Sequence, residues 1–204
     1  MATFVNNLRL KEITTGDESG TWGSSTNTNL ELIGEALGYG TEAITTNADT
    51  HASTVADGST DEARAMYIKY TGTLDSTCTI TIGPDTMKRV QFIENATSGS
   101  QSIIIKQGSG ATVTMANGAM KVVYLDGAGG GAAVVDALVD LDLTGTTTAV
   151  NVTASGTITT ANVTISGIVS AADGTAGAPS ITNTGDTDTG IFFSAANTIA
   201  FTVG

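Results

Sequence analysis

The chain carries one histidine and one cysteine among 204 residues, and that scarcity bounds its chemistry at once. His51 lies in "ADTHAST" with no G-x-S-x-G element or comparable turn to present a nucleophile to it. A zinc site of nitrogen and sulfur ligands is excluded within one chain. Only symmetry-related copies of His51 gathered on an axis would hold a metal, and an exposed loop histidine is the expectation. Cys78, in "TCTITI", reads as a small buried thiol with no disulfide partner. Asp186 and Asp188 in "GDTDTG" have the carboxylates that suit a hard cation. The full D-x-[DN]-x-[DN]-G…E loop is missing, and Asp with Gly is also what a tight turn requires, so a turn is expected here. Asp140 and Asp142, in alternating "VDLDL", read as the solvent face of a strand. Paired carboxylates for glycoside hydrolysis would lie on short polar loops with few aromatics to stack a sugar. These residues predict no enzyme, no cofactor and no metal.

The elements around them are those of a β protein. Thr, Val, Ile and Gly dominate, which favours strands and turns over helix interiors. Charged residues make up 14% and hydrophobic ones 40%, so the chain is not of the highly charged disordered kind. A formal charge of −12 repels nucleic-acid phosphate and anionic lipid, so neither is an expected partner. The charge is unevenly placed: no Lys or Arg follows Lys121, and from Val122 onward the chain has seven Asp and no Glu. The start, "MATFVNNLRLKEI", has no uninterrupted apolar run and predicts no secretory signal. No window approaches the roughly 18 apolar residues that a membrane span needs, so no membrane insertion is expected. Asn95, Asn151 and Asn162 match the N-x-T glycosylation pattern, which in this setting is a coincidence of Thr-rich sequence.

Three sections follow. In residues 1–62, Leu30, Ile33 and Leu37 fall at helical spacing, and Thr28 with Glu31 fits a capping box. Gly38 terminates the pattern, which predicts a short helix of about ten residues, marginal alone. Trp22 precedes it and is expected to close its apolar face. "TEAITTNADTHASTVADGSTDEA" lacks periodicity and reads as extended chain or loop. In residues 63–135, "MYIKY", "CTITI", "RVQFIE", "SIIIK", "ATVTM" and "MKVVYL" read as short strands. Asn117-Gly118 marks a tight hairpin between the last two. Six strands without a helical insert predict a small antiparallel sandwich or barrel with Ile80, Ile82, Val90, Phe92, Ile104, Val113, Val123 and Leu125 in its core.

In residues 136–204, Gly145, Gly156 and Gly167 recur at equal spacing, and "NVTASGTITTA" nearly repeats as "NVTISGIVSAA". Each unit reads as one short strand and a turn. A Val or Ile gives roughly 1.5–3 kcal/mol when fully buried. Ordering each residue costs about 1–2 kcal/mol of backbone entropy, so an isolated copy cannot hold itself together. Identical strands from several chains meeting along an axis would supply the missing neighbours. Val152, Ile158, Val163 and Ile165 are the residues expected to face that axis.

Four passages carry a resemblance. "GTWGSSTNTNLELIGEAL", the stretch from "GTLDSTCTITIGPDTMKRVQF" through "ENATSG" to "MKVVYLDG", "LTGTTTAVNVTASGTITTANVTISG" and "APSITNTGDTDTGIFFSAANTIAFTVG" occur in the order found in phage tail-fibre proteins. Together they cover most of the chain, which resembles bacteriophage tail-fibre and tail-associated structural proteins, of the sort found in marine phages. The resemblance implies an intertwined homotrimer with a tail-attachment region, a β domain and a fibrous β-rich shaft. It implies docking on a tail adaptor, nozzle or baseplate protein through residues 1–40, and a distal end that faces host-surface glycan. It places the protein in the virion, assembled in the host cytoplasm. Trp22, Leu30, Ile33 and Leu37 are the expected docking anchors, since aromatics lead interface hot spots. Such fibres usually continue beyond the "TGDTDTGI…TIAF" unit into a larger tip, and this chain stops at Gly204. The competing reading is a carbohydrate-binding β-sandwich adhesin, for which Tyr67, Tyr70 and Tyr124 are the candidate sugar platforms.

Overall fold

The strand-forming segments assemble in pairs, and the computed structural model shows how, over residues 3–139, 147–149, 151–154, 156–160 and 162–203. The first unit, residues 1–145, opens with strands β1 (Thr3–Val5) and β2 (Leu10–Glu12), a two-stranded antiparallel ribbon. Helix α1 (Trp22–Ala36) follows. Then come β3 (Tyr39–Ala43), β4 (Thr50–Thr54), β5 (Tyr67–Thr71), β6 (Cys78–Gly83), β7 (Arg89–Asn95), β8 (Ile103–Lys106), β9 (Val113–Met115), β10 (Met120–Leu125) and β11 (Val134–Asp136).

These strands alternate between two sheets. β3, β5 and β7 run parallel in one, β4, β6 and β8 parallel in the other. Parallel neighbours need a long crossover. Here the crossover from each strand to the next in its sheet is a strand of the opposite sheet, so the chain winds as a coil. Only at the end does it reverse: β9 adds antiparallel to β8, β10 adds antiparallel to β7, and β11 adds antiparallel to β10. The finished sheets have the orders β11-β10-β7-β5-β3 and β4-β6-β8-β9.

The chain is thus mainly β, as its composition predicts, but the expected antiparallel arrangement is replaced by a mixed one, and neither sheet closes into a barrel. The strands expected from residue 63 onward are present. The segment read as loop supplies β3 and β4, so residues 39–54 pair into the same sheets as residues 67–136. Its alternation was masked by Glu42, His51 and Ser53, polar residues at inward positions.

Inward side chains stack in register from turn to turn. Ile68 pairs with Ile93, Ile80 with Ile105, and Cys78 with Ile103. With Ile82, Met115, Val123, Leu125 and Val134 they form one buried cluster shared by both sheets. Ile80, Ile82, Val113, Val123 and Leu125 are buried as expected, whereas Val90 and Phe92 point outward and are exposed, and Ile104 is half-buried. "RVQFIE" alternates faithfully, but its inner row is Gln91, Ile93 and Asn95. The polar pair is held through its amide nitrogens: Gln91 Nε2 donates to the Ala63 and Ala65 carbonyls, and Asn95 Nδ2 to those of Gln101 and Met115, while Gln91 Oε1 is buried without a hydrogen bond among the described residues.

Corners stack too. Gly72 (φ +118°) sits on the Ile44 carbonyl and Gly99 (φ +96°) on that of Leu74, where a Cβ would collide with backbone. Asn117-Gly118 makes a turn with Gly118 at φ +75°, as its sequence predicts. It is not a hairpin, because β9 and β10 belong to different sheets. The Gly118 amide donates to the Asn95 carbonyl, which makes the turn a corner of the coil.

The second unit, residues 146–204, contains β12 (Ile181–Asn183), β13 (Asp186–Ala195) and β14 (Thr198–Thr202) in one antiparallel sheet. Ile181, Ile191 and Phe201 share a row across it. Among the described residues of this unit only Pro179 is buried. The expected strand-and-turn repeats do not form within a single chain: residues 151–154, 156–160 and 162–170 carry no strand. Gly145, Asp140 and Asp142 lie outside the described residues.

Candidate functional site

His51 is not the loop residue that its neighbours predict. It occupies β4, half-buried, and its Nε2 lies 2.7 Å from Glu42 Oε1. Ser53 Oγ donates to Glu42 Oε2 at 2.5 Å, and Tyr70 OH donates to Ser53 Oγ at 2.9 Å. Serine, histidine and acid are therefore together, but wired unlike a nucleophilic triad. The carboxylate takes both donors, so histidine is not placed to deprotonate serine. Ser53 and Tyr70 are fully buried, at 0% exposure, and burial pushes the Tyr70 phenol up. The network ties β3, β4 and β5 together at the first turn of the coil. Inward polar and charged groups on edge strands also discourage further strand addition. Cys78 is buried as expected, and burial pushes its thiol up, with Asp49 adding to the effect.

Asp186 opens β13 after a short turn in which Asn183 Oδ1 accepts the Gly185 amide, and Thr182 Oγ1 donates to the Asp186 carbonyl. Among the described residues no group of three or more His, Cys, Asp and Glu is placed to hold a metal ion. A cleft of about 500 Å³ is lined by Glu35, Asp61 and Glu62. Two of these acids are engaged elsewhere: Glu35 and Asp61 both pair with Arg64, at 3.7 and 2.8 Å.

Arg64 is the residue that sequence reading missed. Its guanidinium is fully buried and donates to the carbonyls of Leu8, Ala56 and Ser59. It thereby clamps the N-terminal ribbon and the 56–61 loop to the coil. The only clue in the sequence is Asp61 three residues before it, whose carboxylate accepts the Arg64 amide at 2.7 Å. Arg89 donates to the Arg64 carbonyl, and burial pulls its guanidinium down to about 10.

The predicted docking residues prove to be surface. Helix α1 begins at Trp22, earlier than the capping-box reading, so Thr28 lies in its interior and Thr21 at its start. It packs through the side that carries Asn29, Leu32 and Ala36. Asn29 Nδ2 donates to the Lys11 carbonyl and Asn29 Oδ1 accepts the Lys11 amide, while Leu32 and Ala36 are buried. Trp22, Leu30, Ile33 and Leu37 are left exposed, with Trp22 at 62% and Leu37 at 69%. Trp22 is the first residue of the helix and does not cover its apolar stripe.

The predicted shaft residues are exposed as well: Val152 77%, Ile158 64%, Val163 67% and Ile165 54%. Of the candidate sugar-stacking residues, Tyr70 is buried, Tyr67 is half-buried with its hydroxyl on Glu94 Oε2 at 2.6 Å, and Tyr124 is exposed. No described helix is long and apolar enough to cross a membrane. The predicted docking and shaft residues thus share one property, an apolar side chain left exposed. No family model matches the chain, and comparison with curated proteins and with solved structures finds no match.

Proposed function

We propose that this chain is a virion structural protein: a homotrimeric phage tail fibre, or its tail-proximal part, that docks on the tail through residues 1–40 and projects toward the host. The observation that carries this reading is the second unit, whose described residues bury only Pro179 while its aliphatic side chains face solvent. A three-stranded sheet draws its stability from a hydrophobic face that is buried, and in this unit Ile181, Ile199 and Phe201 are exposed. Sister copies supply equivalent segments at equal concentration. The exposed stripe Trp22, Leu30, Ile33 and Leu37 supports the docking role, because its helix is already held by the opposite side. Mechanism here is holding and transmitting: the coil is the rigid shoulder and the Thr/Val/Gly segment is the shaft.

Sedimentation equilibrium is the test, with a trimer mass of three 20.5 kDa chains expected. A monodisperse monomer at micromolar concentration, with residues 147–203 resistant to protease, overturns the reading. A variant lacking residues 1–40 is expected to remain trimeric and to be absent from particles. Its incorporation at normal copy number would remove the docking role.

A further inference from the structure

We propose that the outward face of the five-stranded sheet is a second self-contact surface, covered by another copy of this chain. The proposal rests on the reading of the chain as self-associating and adds a contact in the first unit that the shaft does not provide. Strand register builds the face. Tyr39, Tyr67, Phe92 and Val122 stand side by side across β3, β5, β7 and β10. Val90, Tyr124 and Val135 form the next row, and Met120 lies beyond the first. Alternation turns all of them away from the buried set of Ile68, Ile93 and Val123. Tyr39, Val90, Phe92, Met120 and Tyr124 are exposed, and the Tyr39 and Tyr67 rings stack with centroids 5.3 Å apart.

The placement of aromatics is unusual for a core-building protein. The chain has one Trp, four Tyr and five Phe. Four of these, Tyr39, Tyr67, Phe92 and Tyr124, lie on this one face, and Tyr70 alone is buried. Contiguous exposed apolar surface of this kind marks an interaction site, and Tyr, Phe and Met are the types enriched in interface cores.

Charge identifies the occupant. The chain carries −12, so copies repel across most of their surface. On this face the charged pair is Lys69 and Glu94, 3.3 Å apart and mutually neutralised. Two copies can meet here without opposing unpaired carboxylates, because the Glu94 carboxylate is already matched by Lys69 and the rest of these rows is aliphatic and aromatic. A charged ligand finds no unpaired opposite charge in these rows. A saccharide could stack on Tyr39 and Tyr124, but its hydroxyls would lie against Val90, Met120, Val122 and Val135, whose side chains offer no hydrogen bond. The apolar surface also continues along the chain: β11 is an edge strand of this sheet and leads directly into Leu138 and Val139, both exposed.

Sedimentation velocity of the full chain over a concentration series tests this, comparing wild type with Val90→Glu and Phe92→Glu on the face and Ile158→Asp in the shaft. Circular dichroism checks that each variant keeps its β spectrum, and Tyr124→Ser provides a milder cut at the same face. Like charges brought together at an interface are strongly unfavourable, so the face variants are expected to need at least about tenfold more protein to associate. Ile158→Asp is expected to weaken association separately. If the face variants associate within about twofold of wild type while Ile158→Asp does not, this inference falls and the fibre reading stands. A wild type that stays monomeric throughout overturns both. Calorimetric binding of cellohexaose, maltohexaose or chitohexaose that Tyr39→Ala abolishes would overturn it in favour of a saccharide site.

Discussion

The two units use the same residue types to opposite ends. In residues 3–139, Ile and Val alternate with polar positions, and the coil stacks Ile on Ile until a closed cluster forms. In residues 147–203, Val and Ile occur in comparable company with Thr and Gly, yet they stay outside. Hydrophobicity does not separate them. Winding does: strands β3 to β8 each pair with a strand of their own chain one turn away, whereas residues 151–154, 156–160 and 162–170 carry no strand. Foldability of a repeat therefore depends on whether its copies are covalently linked or borrowed from other molecules.

The comparison breaks most visibly under protease. At high dilution, brief digestion followed by mass spectrometry is expected to remove residues beyond about 146 and to leave the coil intact; raising the concentration into the associated range is expected to protect both. Equal cleavage at all concentrations would contradict assembly as the source of order. Next in size is Arg64→Ala, which strands Asp61 and three backbone carbonyls in a buried setting. It is expected to cost about 3–5 kcal/mol in urea unfolding, because one partner of a buried ion pair is removed.

A matched pair of truncations sharpens the contrast further. Ile80→Ala, in the centre of the cluster, is expected to lose about 2–5 kcal/mol of stability. Ile165→Ala is expected to stay within about 0.5 kcal/mol in the dilute monomer, since its side chain is exposed there. The same change should weaken association in concentrated samples.

The smallest effect is electrostatic and confined to the first unit. The Tyr67 hydroxyl holds the Glu94 carboxyl below the usual range, with Lys69 helping, and Lys121 does the same for Asp136. Both folded values are depressed, so their stabilisation is present above the ordinary carboxylate range and is lost as pH falls through the depressed values. The pairs are partly exposed, so the loss is expected to be under about 1 kcal/mol in melts taken from pH 5 downward. Tyr67 works in the other direction. Its phenol is raised to about 12, chiefly by the bond to Glu94, so its share is present below pH 10 and lost toward 12. Tyr67→Phe should remove the alkaline loss and most of the acid contribution of Glu94, leaving that of Asp136.

Local pattern carried much of the architecture. Branched alternation in "CTITI" and "SIIIK" marks strands with buried inner rows, and "NG" marks a turn, though not which strands it joins. The helix near Leu30 follows from spacing, and so does the grouping of Leu30, Ile33 and Leu37 on one side. What spacing hid was orientation. Val90 and Phe92 alternate as a core row would, but their partners across the strands, Tyr124 and Val122, face out with them, and the polar Gln91 and Asn95 go in because backbone carbonyls are waiting there. Asn95 also illustrates why a motif match fails: its amide is buried and bonded on both sides, so it is no glycan acceptor.

The sequence by itself determined that this is a β-rich, acidic chain with a short helix and a Thr/Val/Gly segment too small in side-chain volume to build its own core. Those properties are sums over residues, or patterns within a few residues, and need no partner to be read. The tertiary structure alone decided that the strands wind in parallel, that Glu42, His51 and Ser53 face inward, and that one buried guanidinium at Arg64 holds the N-terminal ribbon to the coil. Each of these depends on contacts between residues distant in the chain, and a linear pattern does not record which distant segment will supply the hydrogen bond.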